Sequence, residues 1–197
     1  MTNYNMVIEA LLFSSPSPLK QSLIDKTFPN ESINLEDRIS ELNIQYLKEG
    51  HAFEICKIAG GYQLVSRKEY DHYIRLIFEK NNEYTFSKPA LDALAIIAYK
   101  QPISKNEIEL IRGVDSSGVL KTLIANSLVE IKGRSSSPGR PLIYRTTNQF
   151  LEFFGLNNLS DLPKLNEIEQ LIKSDNSTKK QITVFGNSND EINQSYT

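Results

Sequence analysis

Residues 91–124 read LDALAIIAYKQPISKNEIELIRGVDSSGVLKTLI, and the punctuation of this stretch decides the fold. From Pro89 to Tyr99 the only charge is Asp92, which predicts a helix buried on most sides, with Ser87 as its N-cap and Pro89 tolerated in its first turn. Pro102 ends it, because proline lacks an amide donor and restricts its predecessor. Ser104 and Glu107 stand at capping-box spacing, with Ile103 and Ile108 as a hydrophobic staple, so a second helix begins there. It runs to Arg112, and Gly113 closes it. Asp115 predicts the cap of a third helix, with Val114 and Val119 as its staple and Leu120, Leu123 and Ile124 as its buried face.

Downstream, Leu128 to Arg134 reads as a strand, Ser135 to Gly139 as a loop and Pro141 to Thr146 as the return strand. Thr146 or Thr147 caps a last helix, NQFLEFF, which ends at Gly155. Upstream, the same order of elements occurs. Tyr4, Val7, Ile8, Leu11 and Leu12 make one helical stripe, stopped by Pro16 and Pro18. A short helix from about Pro18 to Thr27 presents Leu19, Leu23 and Ile24. A third starts at an Asn34 cap and carries Leu35, Ile39, Leu42 and Tyr46 to a stop at Gly50. The period then changes to that of strands, Phe53 to Ala59 and Tyr62 to Val65, around a Gly60-Gly61 turn. Tyr70, Tyr73, Ile74, Ile77 and Phe78 form a further helical stripe.

Three helices followed by a two-stranded wing, twice, at a spacing of about 80 residues, predict a mostly α chain with small β wings. The expected architecture is α+β, two tandem winged-helix domains. The expected organisation is an N-terminal domain over 1–80, a linker over 81–85, a C-terminal domain with its following loop over 86–165, and a short helix with a disordered tail over 166–197. Units this small bury only about 60% of their unfolded surface, so each should lean on its neighbour or on a partner chain.

Composition narrows the function. The chain has 197 residues, 22 Lys+Arg against 24 Asp+Glu and a net charge of −2, which excludes a tail-driven basic nucleic-acid binder. Residues 81–155 are mildly basic, with nine bases and seven acids, between two mildly acidic blocks. Cys56 is the only cysteine and His51 and His72 the only histidines, too few for a His/Cys zinc site, and no disulfide can form. The longest apolar run, Ala93 to Tyr99, is far short of the roughly 20 residues of a membrane span. The start, MTNYN, does not read as a signal peptide, so an intracellular, cytoplasmic protein is expected.

No catalytic constellation emerges. Phosphate-loop, nucleophile-elbow, zincin and EF-hand patterns are missing from the sequence. Cys56 on a strand reads as a small core residue, and His51 and His72 have no partner nearby in sequence. Catalytic, metal and cofactor sites are therefore all expected to be none.

The second wing carries Lys132, Arg134, Arg140 and Arg145 against Glu130, the kind of charge that touches DNA phosphates. The helix that would read bases, Ser116 to Asn126, offers Lys121 and Asn126 but no Arg. Its counterpart in the first unit, Asn34 to Lys48, carries Glu36, Asp37 and Glu41. The fold of a DNA reader is thus expected without the charge that reading requires, which favours a protein-binding module. A DNA-binding transcriptional regulator is the alternative, with Lys121, Lys132, Arg134 and Arg145 as its contacts.

The stretch 91–124, together with GRSSSPGRPLIYRTTNQFLEFFGLNNLSDLP at 133–163 and the opening EALLF at 9–13 followed by Pro18-Leu19, resembles the segregation and condensation protein B family. The resemblance covers residues 8 to about 165, densely in 91–163 and thinly in 25–80. It implies two tandem winged helices, a homodimer made through the N-terminal ones, and binding of the central segment of the kleisin subunit, segregation and condensation protein A. Through the kleisin it implies an SMC ATPase partner and a nucleoid-associated place in chromosome condensation and segregation. No enzymatic activity, direct DNA contact weak or absent, and no membrane contact are implied. Candidate partner-surface residues in the matching motifs are Tyr99, Gln101, Arg112, Gly118, Arg140, Tyr144 and Phe153. Arg140 and Tyr144 lead, since neither turn nor core obviously requires a guanidinium or a phenol. Gly118, in a first helical turn, suggests close approach of another backbone. The chain departs from the family pattern at Arg145 and at Asn126-Ser127, each where a glycine is usual, and at Ser117, where an aspartate is usual. Asn126 is the cheaper of its pair to place in the left-handed conformation.

Overall fold

The computed structural model describes residues 3–78, 86–164 and 167. The expected 81–85 linker and the expected helix and tail beyond 167 lie outside the described residues. The chain divides into compact units at residues 1–159 and 160–197. The first is mostly helical with two small antiparallel sheets, a tandem of winged-helix motifs.

Helix α1 (Tyr4–Ser14) buries Ile8 and Leu12, and α3 (Leu35–Glu49) buries Leu35, Ile39, Leu42 and Tyr46. Asn34 caps α3 by accepting from the amides of Glu36 and Asp37, and Gly50 ends it at φ 75°. The Tyr46 hydroxyl donates to Glu9 across the α1–α3 contact at 2.9 Å. Burial, first, and this acceptor hold the Tyr46 phenol protonated far above its ordinary range.

Helix α2 is shorter than expected, Gln21–Thr27. Leu19 lies outside it and forms a β-bridge to Tyr62, with both hydrogen bonds made, at 2.8 and 2.9 Å. Only Ile24 of its expected face is buried; Leu23 is 51% exposed. The hairpin pairs β1 (Phe53–Ile58) with β2 (Gly61–Ser66). Its turn falls on Ala59-Gly60, both left-handed at φ 50° and 75°, one residue earlier than the glycine pair suggests. Gly61 is needed for a different reason: a Cβ there would lie 2.9 Å from the Pro18 backbone. Helix α4 (Asp71–Phe78) forms, preceded by a 3-10 turn that holds Tyr70. Of the expected stripe, Tyr73 and Ile77 stay exposed and Ile74 is half-buried; Leu76, outside the stripe, is exposed as well.

The second motif follows its punctuation closely. Helix α5 (Lys88–Lys100) buries Ala90, Ala93, Leu94, Ile97 and Ala98. Ser87 occupies its N-cap position without a side-chain hydrogen bond. A short strand the periodicity does not reveal, β3 (Ile103–Ser104), precedes α6 (Lys105–Arg112). The Ser104–Glu107 capping box is formed, both staple residues are buried, and Gly113 is left-handed at φ 73°. Helix α7 (Ser117–Ala125) has Ser116, not Asp115, at its N-cap; Asp115 accepts from the Ser117 amide and hydroxyl instead. Val114 is 57% exposed and makes no buried staple, and Ile124 is 37% exposed.

Strands β4 (Val129–Arg134) and β5 (Leu142–Thr146) complete a sheet of order β3-β5-β4, and α8 (Asn148–Phe153) starts at a Thr147 cap. The register shifts between Ile131 and Gly133, leaving Lys132 in the bulge. Between α7 and β4 it is Ser127, at φ 56°, that turns left-handed, whereas Asn126 keeps φ −86° and spends its amide on the Thr122 carbonyl.

Candidate partner-binding surface

The turn between α5 and α6 is held from one side chain. Gln101 Oε1 accepts from the Thr146 amide at 2.8 Å and from its hydroxyl at 3.0 Å, while Nε2 donates to the Ala98 carbonyl at 3.1 Å. Tyr144, beside it on β5, is only 7% exposed and pairs with Ile103 and Ile131. Tyr99 is half-buried near the end of α5. The carboxamide at 101 therefore serves the turn and the sheet, and the Tyr144 side chain is buried on β5.

Arg112 acts at the α6–α7 turn. Its Nη1 donates to the Ser116 hydroxyl at 2.8 Å, and the fully buried Ser116 gives its amide to Glu109 at 2.8 Å. Beside them Lys105 Nζ lies 3.3 Å from both Glu109 and Asp115. Hydrogen bonds from Ser117 and then Lys105 hold Asp115 down to about 2, and those to Glu109 and then Asp115 hold Lys105 up. Of this network only the i,i+4 pair Lys105–Glu109 is visible in the sequence. Gly118, in the first turn of α7, faces open space: a Cβ would meet nothing within 4 Å, so no backbone of this chain among the described residues approaches it.

The wing tip is shaped by two successive left-handed residues, Gly139 at φ 81° and Arg140 at φ 43°. Arg140 is exposed, and its carbonyl accepts from Arg134 Nη1 at 3.1 Å. Arg145 is tied to Glu130 across the ladder at 2.6 Å, so its charge is matched at the surface. Lys121 and Lys132 are exposed, on α7 and in the bulge. Of these cations, Arg145 is paired with Glu130 and Lys121 is the one carried on α7 itself.

Apolar exposure is what the surface does offer. Leu110 is 84%, Ile111 53% and Val114 57% exposed at the end of α6 and in the turn beyond it. Phe153 is 44% exposed and packs edge-on against Phe86 and Phe154. Phe86 and Phe153 line a cleft of about 520 Å³ with Ala125, Asn126, Ser127, Leu128 and Gln149. Contiguous apolar exposure, unlike singly scattered apolar side chains, marks contact surfaces. The sequence reading missed Leu110 and Ile111, although two apolar residues beside the buried Ile108 were the available signal. On the N-terminal motif, Met6 and Phe13 of α1 and Ile44 and Leu47 of α3 are likewise exposed.

Cys56 and His51 have distinct surroundings. The half-buried Cys56 thiol is pushed up by burial and by Glu54, which keeps it protonated. His51 does have a neighbour, contrary to the sequence reading: Glu49 lies 3.2 Å away, and the ring stacks on Phe53. Among the described residues no cluster of His, Cys, Asp or Glu could hold a metal ion. Nor among them is any helix long and apolar enough to cross a membrane.

The family described as "Segregation and condensation complex subunit ScpB" matches residues 6–165. Segregation and condensation protein B of Syntrophotalea carbinolica is 42% identical over 171 residues, covering 87% of this chain and 86% of that protein. Its counterpart in Moorella thermoacetica is 39% identical over 166 residues, covering 84% and 85%. The solved structure of ScpB from Mycobacterium tuberculosis is 22% identical, covers 77% of this chain and 94% of that one, and superposes with a TM-score of 0.37.

Proposed function

Because the chain belongs to the ScpB family, the non-catalytic ScpB subunit of the segregation and condensation complex, we propose that it works by holding the kleisin subunit of that complex. In this reading residues 1–80 form the dimerising N-terminal domain, 81–85 a linker and 86–165 the domain that receives the central kleisin segment. The SMC ATPase is reached through the kleisin, and the protein resides in the cytoplasm on the nucleoid.

The observation that carries the reading is the exposed apolar group Leu110, Ile111 and Val114 on a motif whose Arg145 is paired with Glu130. A segment of a protein partner would cover that group; a phosphate backbone would not. Gly118, Arg140 and Phe153 are exposed and are assigned contact roles. Tyr99, Gln101, Arg112 and Tyr144 support the surface from beneath. The exposed Met6, Phe13, Ile44 and Leu47 support self-association through the N-terminal domain.

Affinity capture of the tagged chain from a nuclease-treated native lysate tests the reading. Recovery of a kleisin and a large coiled-coil ATPase is expected. Recovery of the chain alone, with binding restored only by added duplex DNA, would replace the reading with the regulator.

A further inference from the structure

The tip of a wing normally projects free of its domain, and the central amides of a two-residue hairpin turn point outward to solvent. In the first winged helix both are captured. The Ala59 amide donates to the Leu156 carbonyl at 2.9 Å, and the Gly60 amide donates to Asn157 Oδ1 at 3.1 Å. Ala59 is 6% exposed and Ile58 beside it also 6%, although both stand at the end of a hairpin. The acceptors lie just past α8, in the second winged helix.

Each side of the contact is also held within its own motif. On the wing side, the Leu19–Tyr62 bridge and the close fit of Gly61 on Pro18 tie the strands to their own domain. On the other side, Gly155 turns left-handed at φ 64° and the Leu156 amide bonds back to the Leu151 carbonyl at 2.8 Å. That cap aims the Leu156 carbonyl and the Asn157 side chain outward from the helix end.

We infer that the first wing is an intramolecular strap: its tip, by gripping Leu156 and Asn157, sets the angle between the two winged helices. While it is closed, the tip is withheld from nucleic acid or any other ligand. Two hydrogen bonds make a fastening weak enough to open without unfolding either domain.

Amide hydrogen exchange on the full chain, followed residue by residue, tests this. The Ala59 and Gly60 amides are expected to exchange far more slowly than free peptide, and Asn157→Ala to speed the Gly60 amide by about tenfold or more. Asn157→Asp, which keeps an acceptor oxygen, should retain protection. The Tyr62 amide, bonded to Leu19, should be unchanged in both variants and reports that the hairpin is intact. If Asn157→Ala loosened the whole hairpin, the wild-type Ala59 amide, whose acceptor is a main-chain carbonyl, still gives a reading that needs no variant. Unprotected Ala59 and Gly60 amides in the wild type, or a Gly60 amide indifferent to Asn157→Ala, would overturn the strap.

Discussion

Gln101 closes on Thr146 with both ends of its carboxamide: Oε1 takes the Thr146 amide at 2.8 Å and Nε2 reaches the hydroxyl at 2.9 Å. Thr146 is 9% exposed, so this amide has little recourse to water. Gln101→Ala should therefore lower the unfolding free energy by about 1–3 kcal/mol, the cost of an orphaned buried donor. Urea denaturation reads it as a lower midpoint at constant slope. Kleisin binding at a temperature where the variant is folded should be unaltered, which separates support from contact.

The capping box gives a second stability test. Glu107 Oε2 accepts from the Ser104 amide at 2.8 Å and its hydroxyl at 2.6 Å, and the Ser104 hydroxyl takes the Glu107 amide at 3.4 Å. Ser104→Ala should cost about 1 kcal/mol, and Ser104→Thr should restore most of it.

Acid should weaken α6 at its N-terminal cap and at the turn into α7. Asp115 is held from 3.8 down to about 2, and Glu107 is held below the usual carboxylate range by the Ser104 hydroxyl and amide. A carboxyl with a depressed folded value binds its proton less readily folded than unfolded. Its stabilising contribution is complete above the unfolded value and disappears as pH falls through the folded one. The denaturation midpoint should fall between about pH 5 and about pH 2, and Asp115→Asn should flatten that fall. Lys105, held up by Glu109 and Asp115, works in the opposite sense and loosens the same turn as pH rises through its folded value.

Two glycines make a paired prediction. At Gly61 an added methyl would strike the Pro18 backbone, so Gly61→Ala should destabilise by about 1–3 kcal/mol. At Gly118 it would meet open space within a helix, so Gly118→Ala should stabilise the isolated chain by up to about 1 kcal/mol. If a partner backbone lies against Gly118, the same substitution weakens kleisin binding while the melting temperature holds or rises.

The second motif was legible because its helix ends are written in local chemistry: Pro102, Ser104 with Glu107, Gly113 and Thr147 each do a job that only neighbouring residues decide. The first motif was less so where tertiary contact decides. Leu19 pairs with Tyr62 as Ile103 pairs with Tyr144, one residue after a proline in each case, and neither pairing leaves a periodic trace. The turn slipped from Gly60-Gly61 to Ala59-Gly60 because the Pro18 backbone needs Gly61 bare. Ser127, not Asn126, went left-handed because the Asn126 amide serves Thr122. The surface was the least legible part. Val114 at staple spacing reads alike whether it faces a core or a partner, and the packing of Tyr144 shows only once β3 joins the sheet.

The central claim is that this surface holds a kleisin, and titration calorimetry of the purified chain with purified kleisin tests it most directly. The account predicts saturable binding that changes little between about 50 and about 200 mM salt, and that Leu110→Glu weakens it by about 1–3 kcal/mol without lowering the melting temperature. An absence of heat with the kleisin, beside duplex DNA binding that falls steeply over the same salt range, would contradict it.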